Sequence, residues 1–127
     1  MGIKKIVIGT AQMGSDYGIK SSKLFTSNKK IKEIFDYARK KNIIFLDTAM
    51  NYGHAQKKIG KFDKKRKFKI ITKLSKLGNL SFQELKLVIT KNVLKALREL
   101  KRDTIDILLI HNFQDLYLNK KQLLNVL

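Results

Sequence analysis

The sequence predicts an α/β fold built on a parallel sheet. Short apolar runs rich in Ile and Val alternate with segments whose apolar residues recur at helical spacing. The runs are continuous rather than alternating, the pattern of strands buried on both faces beneath layers of helices. No proline or low-complexity linker interrupts the 127 residues, so a single domain is expected.

The elements follow in order. Ile6-Val7-Ile8 reads as the first strand and stops at Gly9. From Ser27 to Lys41 the apolar residues Ile31, Ile34, Phe35 and Ala38 fall on one helical face. Ser27 or Asn28 can cap the first N–H groups, and Arg39, Lys40 and Lys41 suit the negative C-terminal end. Ile43 to Leu46 is a second strand, ending at Asp47, and a short helix is expected from His54 to Phe62. Phe68 to Thr72 is a third strand, ending at Lys73. Ser81 and Glu84 form the S-x-x-E capping box of a long helix. Its buried stripe is Leu85, Val88, Ile89, Val93, Ala96, Leu97 and Leu100. Ile105 to Ile110 is a fourth strand, ending at His111, and a last amphipathic stretch is expected from near Asn119.

Composition narrows the function classes. An apolar share of 43% excludes a disordered chain, and the absence of cysteine excludes disulfide scaffolds, thiolate metal sites and cysteine nucleophiles. No metal-ligand pattern stands out. The longest apolar runs span four residues, far short of a membrane helix, and Met1 to Ile6 carries no targeting signal. A cytoplasmic protein with no membrane partner is therefore expected. The net charge of +18 raises a nucleic-acid reading. The basic residues are spread along the chain, however, so a lysine-rich solvated surface is the simpler expectation. The run Lys61 to Lys69 likewise reads as a solvated loop joined to a helix end.

Three strands each end in one ionisable residue: Asp47, Lys73 and His111. The C-terminal strand ends form the functional face of parallel α/β folds, so these groups should converge, with Tyr52 just past Asp47. An ammonium beside a phenol stabilises the phenolate and eases proton release. An Asp beside the Lys keeps it charged and oriented, and a neutral His can hydrogen-bond a carbonyl oxygen. Together they describe proton delivery to a carbonyl under reduction. Tyr52 and Lys73 are expected within about 3–5 Å of each other. Gly9 to Gly14 has P-loop glycine spacing, but Ser15 stands where the lysine belongs, and no G-x-G-x-x-G follows the first strand.

Four stretches, Ile8 to Gly14, Phe45 to Gly53 with its Asp47-Thr48-Ala49-x-x-Tyr52-Gly53 element, Ile71 to Lys73, and Ile105 to His111, resemble the aldo-keto reductase family. The resemblance implies a (β/α)8 TIM-type barrel that reduces an aldehyde or ketone with NADP(H). It implies Tyr52 as general acid, Lys73 and Asp47 as the pair tuning it, and His111 as the group orienting a small carbonyl substrate. Gly9, Thr10 and Asp47 are then the cofactor-binding residues. The run from Gly9 to Ile19 resembles a bacterial subgroup placed near surface-polysaccharide biosynthesis, which implies a sugar-like carbonyl. Ala55 and Gln56 stand where the family usually has a Ser-Glu pair. A full barrel needs about 250 residues. Residues 1–127 are accordingly expected to form the N-terminal half, four βα units, of a longer or truncated protein. Such a half should be inactive alone and either self-associate through its open sheet edges or stay loosely packed. The rival readings are a non-catalytic half-barrel that binds a partner through those edges, and a basic nucleic-acid-binding protein.

Overall fold

The computed structural model describes residues 6–14 and 26–126. Met1 to Lys5, Ser15, the Asp16 to Ile19 part of the subgroup motif, and Leu127 lie outside these residues. The chain runs β1 (Val7–Gly9), α1 (Ala11–Gly14), α2 (Asn28–Lys40), β2 (Phe45–Asp47), α3 (Ala55–Phe62), β3 (Lys69–Leu74), α4 (Phe82–Leu100), β4 (Ile107–Ile110) and α5 (Phe113–Val126). The strands form one parallel sheet in the order β1-β2-β3-β4. This is the α/β architecture of a partial TIM barrel.

Helix boundaries follow the sequence signals closely. The Ser27 hydroxyl accepts from the Lys30 N–H at 3.2 Å and caps α2. The reciprocal Ser81–Glu84 box caps α4, and its two hydrogen bonds hold the Glu84 carboxyl below the ordinary glutamate range. Gly60 marks the crossing of α3 and α4, because a Cβ there would stand 2.3 Å from the Glu99 carbonyl oxygen.

The strands are shorter than their apolar runs, for local reasons. The Ile43 N–H turns back to the Ala38 carbonyl at 2.9 Å, so β2 begins only at Phe45. The Asp106 carboxylate takes the Ile70 N–H at 2.8 Å in place of a backbone partner, so β4 begins at Ile107. Lys73 lies within β3 rather than after it.

The last helix corrects a larger expectation, since it starts at Phe113 and not near Asn119. Asn112 caps it, accepting from the Gln114 N–H at 3.2 Å. Asn119 is a kink inside it. The Asn119 side chain is drawn inward, donating to the Gly78 and Asp115 carbonyls at 2.7 and 3.1 Å. Buried Asp115 accepts from the Leu77 and Gly78 N–H groups, so α5 clamps the β3–α4 loop. The four-residue α1 is too short to show a period in the sequence.

Burial on both sheet faces is also corrected. Leu46, Ile70, Thr72 and Leu74 point at the helices and are fully buried, and Phe35 packs on Phe68 with ring centroids 5.0 Å apart. The opposite set is open: Val7, Ile107 and Leu109 remain about two-fifths exposed. Right-handed crossovers between strands added in sequential order place every helix on the same face. The apolar residues on the other face are those that a closed barrel turns inward.

Candidate active site

The C-terminal strand ends assemble the ionisable residues. Side chains alternate along a strand, so Ile71 and Lys73 share the open face of β3. Asp47 pairs in register with Ile71 and therefore faces the same side. The Lys73 ammonium reaches across to Asp47 Oδ1 at 2.6 Å and donates to the Thr48 carbonyl oxygen at 3.1 Å. The lysine side chain is 17% exposed and the aspartate 30%, so the pair is partly shielded and still reachable.

Tyr52 stands on the turn after β2. Its N–H donates to the Ala49 carbonyl and its carbonyl accepts the Ala55 N–H that opens α3. Lys73 Nζ lies 5.4 Å from the Tyr52 ring centroid. His111, the residue after β4, meets the Tyr52 ring edge-on, with ring centroids 6.0 Å apart and planes at 86°. The structure thus brings Asp47, Tyr52, Lys73 and His111 into one cluster.

The residues read as cofactor contacts sit at the adjoining end of β1. Thr10 is fully buried, and both its N–H and its hydroxyl donate to the Asp47 carbonyl oxygen at 2.9 Å. Thr10 therefore fixes Asp47. A Cβ built on Gly9 meets nothing within 4 Å, which leaves the backbone open to an approaching group. Asp47 supplies a carboxylate acceptor suited to a sugar hydroxyl, so Gly9 and Asp47 fit the ribose end of a nicotinamide nucleotide, and buried Thr10 supports them from beneath. Among the described residues no cluster of three His, Cys, Asp or Glu side chains could hold a metal ion.

Three further contributors escaped the sequence reading. The Thr48 carbonyl anchors Lys73, and a backbone oxygen leaves no sequence signal. At the rim, the Ser75 hydroxyl donates to the Asn51 side-chain oxygen at 2.9 Å, two ordinary polar residues made neighbours by the sheet. Gly14 lies under the Tyr52 turn, where its carbonyl accepts the His54 N–H at 3.1 Å. A Cβ there would stand 1.6 Å from the Tyr52 carbonyl oxygen. Gly14→Ala is thus expected to displace the turn and cost about 1–3 kcal/mol, the usual range for overpacking. Urea unfolding measures this, and an unchanged midpoint would show that the turn yields freely.

Comparison with known proteins finds relatives of both the sequence and the fold. The sequence model of the Aldo/keto reductase family matches residues 5–117. No curated protein matches significantly. Two solved structures from Pseudomonas aeruginosa, both provisionally assigned as aldo-keto reductases, share the fold. One superposes with a TM-score of 0.69 at 21% identity, covering 91% of this chain and 51% of its own. The other gives 0.67 at 19%, covering 91% and 49%. The chain thus spans about half the length of these structures.

Proposed function

Since this chain belongs to the aldo/keto reductase family, we propose that it supplies the proton-delivering half of an NADPH-dependent reductase that converts an aldehyde or ketone to an alcohol. The observation that carries the reading is the Asp47–Lys73 ion pair at 2.6 Å beside the Tyr52 ring. Gly9 and Asp47 would hold the nicotinamide nucleotide, with Thr10 fixing Asp47 from beneath, and the nucleotide when bound would supply a hydride for the carbonyl carbon. The Tyr52 hydroxyl gives its proton to the carbonyl oxygen, and the Lys73 ammonium stabilises the phenolate left behind. Asp47 holds that ammonium in place, while Thr10 and the Thr48 carbonyl fix the two partners. His111 borders the same space and orients the carbonyl oxygen by a hydrogen bond. The Asn51–Ser75 pair at the rim favours a substrate that carries hydroxyl groups, such as a sugar-derived carbonyl.

Activity belongs to the closed barrel, because the exposed Val7, Ile107 and Leu109 face is a barrel interior without its second half. The experiment compares residues 1–127 alone with a full-length barrel carrying this segment. NADPH consumption is followed with a panel of aldehydes, ketones and sugar carbonyls, and size by gel filtration. The barrel is expected to turn over, and the isolated segment to self-associate without activity. A barrel that binds NADPH and reduces no carbonyl on the panel would overturn the proposal.

A further inference from the structure

The basic run after α3 acquires a partner that the sequence did not show. Lys61, Lys64, Lys65 and Lys67 line one groove of about 740 Å³ together with Lys32 and Arg39 of α2. The α3–β3 loop leads into the first residue of β3, so this groove lies at the N-terminal strand ends, away from Tyr52 and Lys73.

Helix termini account for only part of this charge. Arg39 and Lys61 fall in the last turns of α2 and α3, where cations are favoured. Lys32 is in the first half of α2, and Lys64, Lys65 and Lys67 lie beyond α3. The groove's one carboxylate, Asp36, is already paired with Arg39 at 2.9 Å. Nearby Asp63 is buried and held by Arg39 and Arg102. Among the described residues no carboxylate stands within ion-pair reach of Lys32, Lys61, Lys64, Lys65 or Lys67. A neighbouring groove that shares Lys61 adds Lys95, Arg98 and Lys101, and its one carboxylate, Glu99, is paired with Lys57 at 4.0 Å. The half-buried Phe62 lines the first groove with the Lys61 ammonium 5.4 Å from its ring centroid, so one wall carries both a cation and an aromatic ring.

We propose that this groove binds the phosphate backbone of a single-stranded nucleic acid, with Phe62 as a stacking surface for a base. A track of ammonium groups without carboxylate partners, one of them against an aromatic ring, is the chemistry of such sites. Phosphates bound there release counterions, so affinity falls steeply with salt. An acidic peptide would use the lysines and leave Phe62 idle.

The test is fluorescence anisotropy of labelled oligo(U) and oligo(dT) of about 12 nucleotides, a usual site size. The two oligomers show whether the ribose or the deoxyribose form is preferred. Three or more phosphate contacts would give a log–log salt slope of about −2 or steeper. The variant Lys61→Gln/Lys64→Gln/Lys65→Gln/Lys67→Gln is expected to weaken binding at least about tenfold and flatten that slope. A control removing four exposed lysines elsewhere, Lys86→Gln/Lys91→Gln/Lys120→Gln/Lys121→Gln, should change affinity by less than about threefold. Equal losses in both variants would reduce the effect to net charge and overturn the site. So would no binding of either oligomer at about 0.1 M salt, where only charges more than about 10 Å apart are largely screened and direct phosphate contacts persist. Competition by polyglutamate as effective as by oligonucleotide would assign the groove to an acidic protein instead.

Discussion

Tyr52→Phe is expected to cut carbonyl turnover at least about 100-fold in a barrel carrying this segment, the usual worth of a general acid. That corresponds to about 2.7 kcal/mol of transition-state stabilisation. The substitution removes one oxygen and leaves the ring against which Lys73 and His111 pack. The Asp47–Lys73 ion pair and its anchor on the Thr48 carbonyl do not involve the lost atom. Stability and NADPH affinity should therefore stay close to those of the parent. The loss should fall on kcat, because the proton is delivered only as the transition state forms. Stopped-flow turnover beside a fluorescence titration with NADPH separates the two. A variant that reduces its carbonyl at a near-parental rate would remove Tyr52 as the acid and leave the cluster without its proton source. A variant that loses cofactor binding as well would give the hydroxyl a structural part in the site.

Much of this site was legible because a parallel sheet enforces convergence. Asp47, Lys73 and His111 each interrupt or end an apolar run, and a polar residue there has one face of the fold to occupy. Tyr52 followed from its place just after Asp47. Backbone acceptors and alternation supply the remainder, and neither carries a residue type. Nothing in the letter Thr at 48 says that its carbonyl will hold an ammonium at 3.1 Å. The placement of Lys73 inside β3 depends on how far pairing with β4 extends, and Lys73 and Leu74 pair there with Leu109 and Ile110.

Elsewhere the reading failed where side chains substitute for backbone partners. Asp106 shortened β4 by occupying the Ile70 N–H, and Asn112 started α5 early by capping it. Both are short polar residues that compete with regular hydrogen bonding, and their choice among partners is settled only in three dimensions. One-sided cover of the sheet was missed for a different reason. A continuous apolar run says that both strand faces avoid water, but not what covers each one. The basic groove has the same origin, since Lys32 and Lys64 are far apart in sequence and meet only because α2 and α3 pack together.

The largest expected loss of stability is at Asp63, which had no place among the sequence-derived candidates. Its carboxylate is 1% exposed and receives four donors. Arg102 Nη2 reaches it at 2.6 Å and Arg39 Nη2 at 3.3 Å, while the Lys67 and Phe68 N–H groups donate at 3.1 and 3.2 Å. These donors come from α2, from the α3–β3 loop and from the connection after α4, so one carboxylate ties three parts of the N-terminal face together. Arg39 also lies over the Phe68 ring at 5.1 Å, which joins the charge cluster to the core. Asp63→Ala would leave Arg102, whose side chain is only 9% exposed, beside a cavity with Asp106 at 3.9 Å as its remaining anion. Removing one partner of a buried ion pair costs about 3–5 kcal/mol. That is a large share of the about 5–15 kcal/mol that holds a typical domain folded. The variant should therefore unfold at much lower urea concentration, followed by circular dichroism. Asp63→Asn should recover little, because its amide NH2 would face a guanidinium that also only donates. Pairing Asp63→Asn with Arg102→Met removes the stranded charge and should restore part of the loss, since the two effects are coupled through one contact. A cost below about 1 kcal/mol for Asp63→Ala would place the pair among exposed ion pairs of little worth, and would mean that water reaches this carboxylate in solution.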